Sequence, residues 1–302
     1  MIDTKESLTA KLCSFARAHH SYHGRDKIFD DYLAYDIMGK EEYEEIGQLI
    51  ENDFEMISSP YKDGFIGKEV YPKLDYYISP IPLSRIAFSE REFMRFAEEN
   101  GECQYVICGA GMDTFSFRND NPDIKIFEID HPDTQRYKKQ RISELEWIIP
   151  SNVNYVPVDF NKDDMTEALI ESGFDINKPA FFSILGVTYY LTLPVFEQTI
   201  EKISSISKTG NKIVFDFPNE TTFTDKTAPR VRELSDITAK LGEPMQHGFS
   251  VEEIDSALRR HGFKIDKHET PEKIQKEFFK NREDGQRAFE NIHFILSEKE
   301  KQ

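Results

Sequence analysis

Two regimes of hydrophobic patterning divide the chain. Up to about position 100 the apolar residues recur at helical spacing. Leu8, Leu12, Phe15 and Ala16 predict one helix, Ile28, Tyr32, Tyr35 and Ile37 a second, and the run EEYEEIGQLIENDFEMI (41–57) a third. The aromatic, proline-punctuated YPKLDYYISPIPLSR (71–85) reads as a bent segment that folds over something. A helix is expected over 88–99, with Ser89 as its cap and Glu92 completing a capping box.

After Gly101 short β-rich runs alternate with amphipathic stretches. QYVICG, IKIFEI, VNYVPV, PAFFSIL, KIVFDF, FKIDKH and IHFILS are seven candidate strands. Between them lie PDTQRYKKQRISELEWI, DMTEALIES, PVFEQTIEKISSI and SVEEIDSALRRHG. Strands separated by helices mean βαβ units, so the fold class is α/β, a doubly wound and mostly parallel seven-stranded sheet. The last two strands lie closer together and are expected to pair antiparallel. Residues 218–248 read as a partly helical insertion. The expected division is a helical region at 1–87, covering the ligand edge like a lid, and a sheet domain at 88–302. In such sheets ligands bind beyond the carboxyl ends of the strands.

Composition narrows the function. With 24 Phe and 13 Tyr in 302 residues the chain can fill a substantial core. A net charge of −17 repels phosphate backbones and anionic lipid, so nucleic acid and membranes are excluded as expected partners. Cys13, Cys103 and Cys108 form no ligand-like or disulfide-like pattern and read as buried thiols in a reducing compartment. MIDTKESLTAKLCSF has no uninterrupted apolar core, and a soluble, cytoplasmic protein is expected. His19, His20 and His23 are close in sequence, but His19 and His20 face different ways on a helix and His23 is expected past its end, so no metal site is expected.

The candidate chemistry clusters at strand ends. In CGAGMDTFSFR a β-run ends at Gly109, and Gly109 and Gly111 flank Ala110, which allows a tight turn and close backbone approach to a ligand. The third glycine of a dinucleotide fingerprint is replaced by Thr114. That counts against a nicotinamide-dependent oxidoreductase and leaves a nucleoside ligand open. In FEIDHP, Glu128 and Asp130 end the next strand, where an acid can accept from both ribose hydroxyls; Asp130 is the better candidate. In VPVDF, Asp159 stands where an adenine amino group can donate and Phe160 where the ring can pack, although Asp159 taken alone is more simply a helix cap.

GAGMDT, FEIDHP, VPVDF and LGVTYYLT, in that order and spacing, resemble the leucine carboxyl methyltransferase family. SLTAKLCSFARA followed by FDD is similar to the opening of its bacterial branch, which includes O-methyltransferases of polyketide synthesis. The resemblance implies a class I methyltransferase fold with a helical N-terminal lid and S-adenosylmethionine as methyl donor. It implies a small-molecule or peptide carboxylate, or a related oxygen, as acceptor. On it, Gly109 and Gly111 lie beneath the methionine part of the cofactor, Asp130 holds the ribose, and Asp159 and Phe160 hold the adenine. Arg85, in PLSRIAFSE, grips the cofactor carboxylate with its planar fork; a surface salt bridge is the plain alternative. Tyr189 and Tyr190 are acceptor-side candidates, with packing beneath the lid as their alternative. Leu185 stands where several family members carry an acid, which removes a polar partner and keeps a non-catalytic binding protein in play.

Overall fold

The computed structural model describes residues 8–53, 72–160, 162–240 and 242–301. All seven expected strands form: β1 (Cys103–Cys108), β2 (Ile124–Asp130), β3 (Val153–Pro157), β4 (Ala180–Ile184), β5 (Lys212–Pro218), β6 (Phe263–Glu269) and β7 (Ile292–Lys299). They make one sheet in the order β3-β2-β1-β4-β5-β7-β6. The first five pair in parallel; β7 enters antiparallel between β5 and β6, so both of its pairings run against the rest. The order reverses between β1 and β4, which opens a crevice above their carboxyl ends.

The helices are α1 (Leu8–His23), α2 (Ala34–Met38), α3 (Lys40–Asp53), α4 (Pro72–Tyr77), α5 (Pro80–Asn100), α6 (Phe115–Arg118) and α7 (Pro132–Glu144). They continue with α8 (Met165–Glu171), α9 (Leu193–Ser205), α10 (Pro229–Lys240), α11 (Val251–Arg260) and α12 (Pro271–Phe278). The central strands are buried on both faces, as a parallel sheet requires. One face packs Val106, Phe127, Phe182 and Phe215 against α8, α9 and α11. The other packs Tyr105, Phe181 and Phe294 against α5, where the Phe93 ring stacks on Tyr105 at 3.9 Å between centroids. A third core lies apart from the sheet: Leu12, Phe15 and Ala16 of α1, Met38, Ile46, Leu74, Tyr77 and Ile237 bring α1 to α4 and α10 together. Arg230 of α10 ties this layer to the carboxyl-terminal segment. It donates to the carbonyls of Tyr76, Arg287 and Ala288 while its guanidinium lies over Phe289.

Three expectations change. The helix expected at 88–99 begins at Pro80, because Pro80 and Pro82 fall within the first turn, where a missing N–H costs no internal hydrogen bond. Ser89 is therefore mid-helix and buried, and Glu92 joins Arg95 and Lys267 instead of closing a capping box. A capping box does form at Ser250 and Glu253, opening α11. Second, the helix expected around Ile28 to Ile37 is confined to Ala34–Met38. Third, His23 is the last residue of α1 and not beyond it; His19 bonds Tyr43, and His20 accepts from the Ile28 amide. The insertion after β5 is partly helical as expected, with a short 3-10 turn at Glu220–Phe223 and then α10. Helix α5 runs unbroken across positions 87 and 88. Positions 54–57 of the third expected helix and Tyr71 lie outside the described residues.

Candidate active site

A cavity of about 230 Å³ opens above the β1–β4 reversal. Its floor is the Cys108–Asp113 turn and the Leu185–Val187 turn; α1, the α4–α5 junction and α10 cover it. Gly109 and Gly111 line it with φ of 74° and 50°, backbone that a side chain would strain. A Cβ on Gly111 would meet nothing within 4 Å, whereas one on Gly109 would lie 3.1 Å from Val187 Cγ2.

Arg85 enters the cavity from α5 and is not a surface ion pair. Its Nη1 lies 3.2 Å from Asp216 Oδ2, and the Asp216 side chain is wholly buried. Burial alone would lower the guanidinium pKa, but Asp216 more than offsets it, and Cys13 and Tyr189 add to the rise, so Arg85 stays charged. Its Nε is buried without a hydrogen-bond partner among the described residues. Tyr189 is buried and donates its hydroxyl to Asp216 Oδ2 at 2.6 Å, while the Gly186 amide donates to Oδ1 at 2.7 Å. Asp216 was not among the sequence candidates. Its signal was an acid inside the apolar run KIVFDF, since a buried carboxylate persists only with partners.

A second buried network fastens the N-terminal helices to the glycine turn. Arg17 of α1 donates to Asp31 Oδ2 at 2.5 Å and to the Met112 carbonyl at 2.9 Å. Thr114, at the missing third glycine, donates to Asp31 Oδ1 at 2.5 Å and accepts from Arg118 Nε, whose two Nη atoms clasp Glu90. Arg17 and Asp31 lie within the ARA and FDD segments of the N-terminal resemblance, yet their pairing needs the fold to bring them together.

The remaining candidates separate. Asp130 accepts from the Gly111 amide at 2.6 Å and the His131 amide at 2.7 Å, so it braces the glycine turn and is not on the cavity wall. Glu128 is buried in an ion pair with Lys138 and holds Ser116, a structural role. Asp159 pairs with Lys162 at 2.6 Å and lies 3.9 Å from His131; Phe160 is 53% exposed. The structure brings neither Asp159 nor Phe160 to the cavity wall. Tyr190 and Leu185 do line it.

The model of the leucine carboxyl methyltransferase family matches residues 10–204, more than half the chain. A protein of Bacillus subtilis named as an S-adenosyl-L-methionine-dependent methyltransferase, YktD, is 36% identical over 98% of each chain. The chain belongs to the leucine carboxyl methyltransferase family. It is accordingly an S-adenosylmethionine-dependent methyltransferase, and the nicotinamide reading falls. A Mycobacterium marinum protein of the same description is 23% identical over 85% of this chain and 82% of its own. Among solved structures, a DUF574 family protein from Streptomyces avermitilis aligns over 99% of this chain and 100% of its own, with a TM-score of 0.61 and 12% identity. A protein from Thermobifida fusca described as a methyltransferase aligns over 95% and 94%, with a TM-score of 0.55 and 15% identity. Both likenesses are of fold, and they agree with a class I methyltransferase sheet.

The cavity suits one end of S-adenosylmethionine. A glycine turn open at Gly111 and a charged guanidinium with an unpartnered Nε match the methionyl chain and its carboxylate. The acids expected to meet ribose and adenine stand at the ends of β2 and β3, outside the cavity wall.

Proposed function

We propose that the enzyme methylates a carboxylate of a small molecule or peptide, giving a methyl ester and S-adenosylhomocysteine. Arg85 holds the cofactor carboxylate, Gly109 and Gly111 lie beneath the methionyl chain, and Asp130 takes the ribose while bracing the glycine turn. Asp159 and Phe160 stand at the adenine end. The bound cofactor supplies an electrophilic methyl on a sulfonium, and the protein aligns the acceptor with it.

The observation that carries the carboxylate reading is the protonation of the thiols and phenols of the wall; Asp113, a carboxylate that also lines the cavity, accepts from the Phe115 amide at 2.7 Å. Burial raises the thiols of Cys13 and Cys108, the latter to about 12. Burial likewise raises the phenols of Tyr77 and Tyr190, Tyr190 to about 12, and burial followed by Asp216 raises Tyr189 well above its usual value. These groups hold their protons at neutral pH and do not take one from an alcohol or phenol. A carboxylate is already ionised and needs no base. Thr9, Leu12 and Tyr190 beside Ile78, Leu234, Ile237 and Met245 then form the acceptor side.

The layer over the carboxyl edge, α1 to α4 with α10, opens and closes as acceptor enters and product leaves. The free thiols Cys13, Cys103 and Cys108 suit a cytoplasmic protein, and the net charge of −17 suits a partner that is not nucleic acid. No described helix is long and apolar enough to cross a membrane.

The test uses S-adenosylmethionine labelled in its methyl group and a panel of carboxylic acids and C-terminally free peptides. A methyl ester releases volatile labelled methanol in mild alkali. Label transferred in an alkali-stable form, or transferred only to phenols and alcohols, overturns the carboxylate reading.

A further inference from the structure

Asp216 meets three donors from two segments, the β4–α9 connection and α5. The Gly186 amide reaches Oδ1 at 2.7 Å; Arg85 Nη1 and the Tyr189 hydroxyl reach Oδ2 at 3.2 Å and 2.6 Å. The Asp216 backbone carbonyl also accepts from Thr188 Oγ1, which pins the turn that carries Tyr189. The carboxylate is fully buried and is not on the cavity wall, whereas Arg85, Gly186 and Tyr189 all are. Asp216 therefore touches the cavity only through the groups it holds.

Its chemistry dictates what those groups offer. An ionised carboxylate only accepts hydrogen bonds, so each neighbour must present a proton to it. The Tyr189 proton is committed to Asp216, which leaves the lone pairs of the phenol oxygen for a donor. Arg85 has only donors, and its Nε remains unpartnered after Asp216 has taken Nη1. The cavity thus presents a cationic donor and a neutral acceptor side by side, held by one hidden anion. The amino-acid end of S-adenosylmethionine carries the complementary pair, a carboxylate and an ammonium.

We propose that Asp216 is a positioning residue that fixes Arg85 as carboxylate donor and the Tyr189 oxygen as ammonium acceptor for the amino-acid end of the cofactor. This rests on the placement of the cofactor above, and it moves Tyr189 from the acceptor side to the cofactor side. Asn at position 216 keeps the shape but turns an NH2 toward donors, facing Gly186 in one orientation and Arg85 with Tyr189 in the other, so at least one of the three contacts becomes donor against donor.

The experiment compares two ligands by calorimetry: S-adenosylhomocysteine, and 5′-methylthioadenosine, which lacks the amino-acid end. The wild-type protein binds the first more tightly. Asp216→Asn reduces that preference roughly ten- to a hundred-fold, as loss of charge-assisted bonds implies, with 5′-methylthioadenosine affinity unchanged. Equal weakening of both ligands reveals a merely structural role and overturns the proposal, as does an unchanged preference. Should Asp216→Asn fail to fold, Tyr189→Phe, which keeps the ring, decides: the preference falls several-fold, and an unchanged preference overturns the assignment. A wild-type protein that binds both ligands equally also overturns it. Binding of neither ligand instead overturns the placement of the cofactor in this cavity.

Discussion

Arg85 occupies the space that a side chain at Gly186 would need: a Cβ there would lie 2.6 Å from Nη2 and 2.8 Å from Nη1 of the guanidinium. Gly186 also has φ of 72°, which favours glycine on its own account. Gly186→Ala is therefore expected to lose about 1–2 kcal/mol of stability from backbone strain alone. It also displaces Arg85, so S-adenosylhomocysteine affinity falls with it. Urea unfolding and calorimetry on the same preparation check both effects.

Removing Arg85 leaves Asp216 buried without its cation. Arg85→Ala is expected to cost about 3–5 kcal/mol of stability, as breaking a buried pair does, and to abolish measurable cofactor binding. Arg85→Lys keeps the charge but not the planar fork, and restores binding only in part. Equilibrium unfolding with and without S-adenosylhomocysteine reports both; a stable Arg85→Ala variant with normal affinity removes Arg85 from the site.

Asp130 joins the end of β2 to the Gly111 amide. Asp130→Ala is expected to weaken S-adenosylhomocysteine binding by roughly 1.5–3 kcal/mol, the worth of hydrogen bonds to a charged group. An unchanged dissociation constant by calorimetry would confine Asp130 to bracing the turn.

Asp75 of α4 is buried, and burial first and Asp284 second raise its carboxyl from the usual value to about 7; Gln286 donates to it at 2.9 Å. Between an unfolded value near 3.8 and this folded value, the native protein holds a proton that the unfolded chain has released. Its contribution is thus fully present in acid and lost as pH rises through about 7. Asp75→Asn fixes the neutral form and still accepts from Gln286. The variant is expected to match the wild type near pH 4 and to exceed it near pH 8 by on the order of 2 kcal/mol, read from melting curves across pH.

How far the sequence reaches depends on the range of the interaction. The sheet was legible because each strand is a local β-rich run, and the glycine turn because Gly109 and Gly111 are adjacent to it. Helix α5 was read too short because Pro80 and Pro82 look like breakers unless their place in the first turn is known. Asp216 and Gly186 were missed because their meaning lies in contacts with Arg85, 131 positions from Asp216, which no local pattern encodes. Arg17 and Asp31 were visible as letters of a resemblance but not as a clasp on Met112 and Thr114. Phe160 has its place in the motif as its signal for adenine packing, and the structure places it exposed and outside the cavity wall.

A structure with S-adenosylhomocysteine bound tests the account most directly. The ligand is expected over the Gly109–Gly111 backbone, with its carboxylate on Arg85, its ammonium at the Tyr189 oxygen, and its ribose within reach of Asp130. A ligand bound elsewhere, or bound here with its amino-acid end turned away from Arg85, would contradict it.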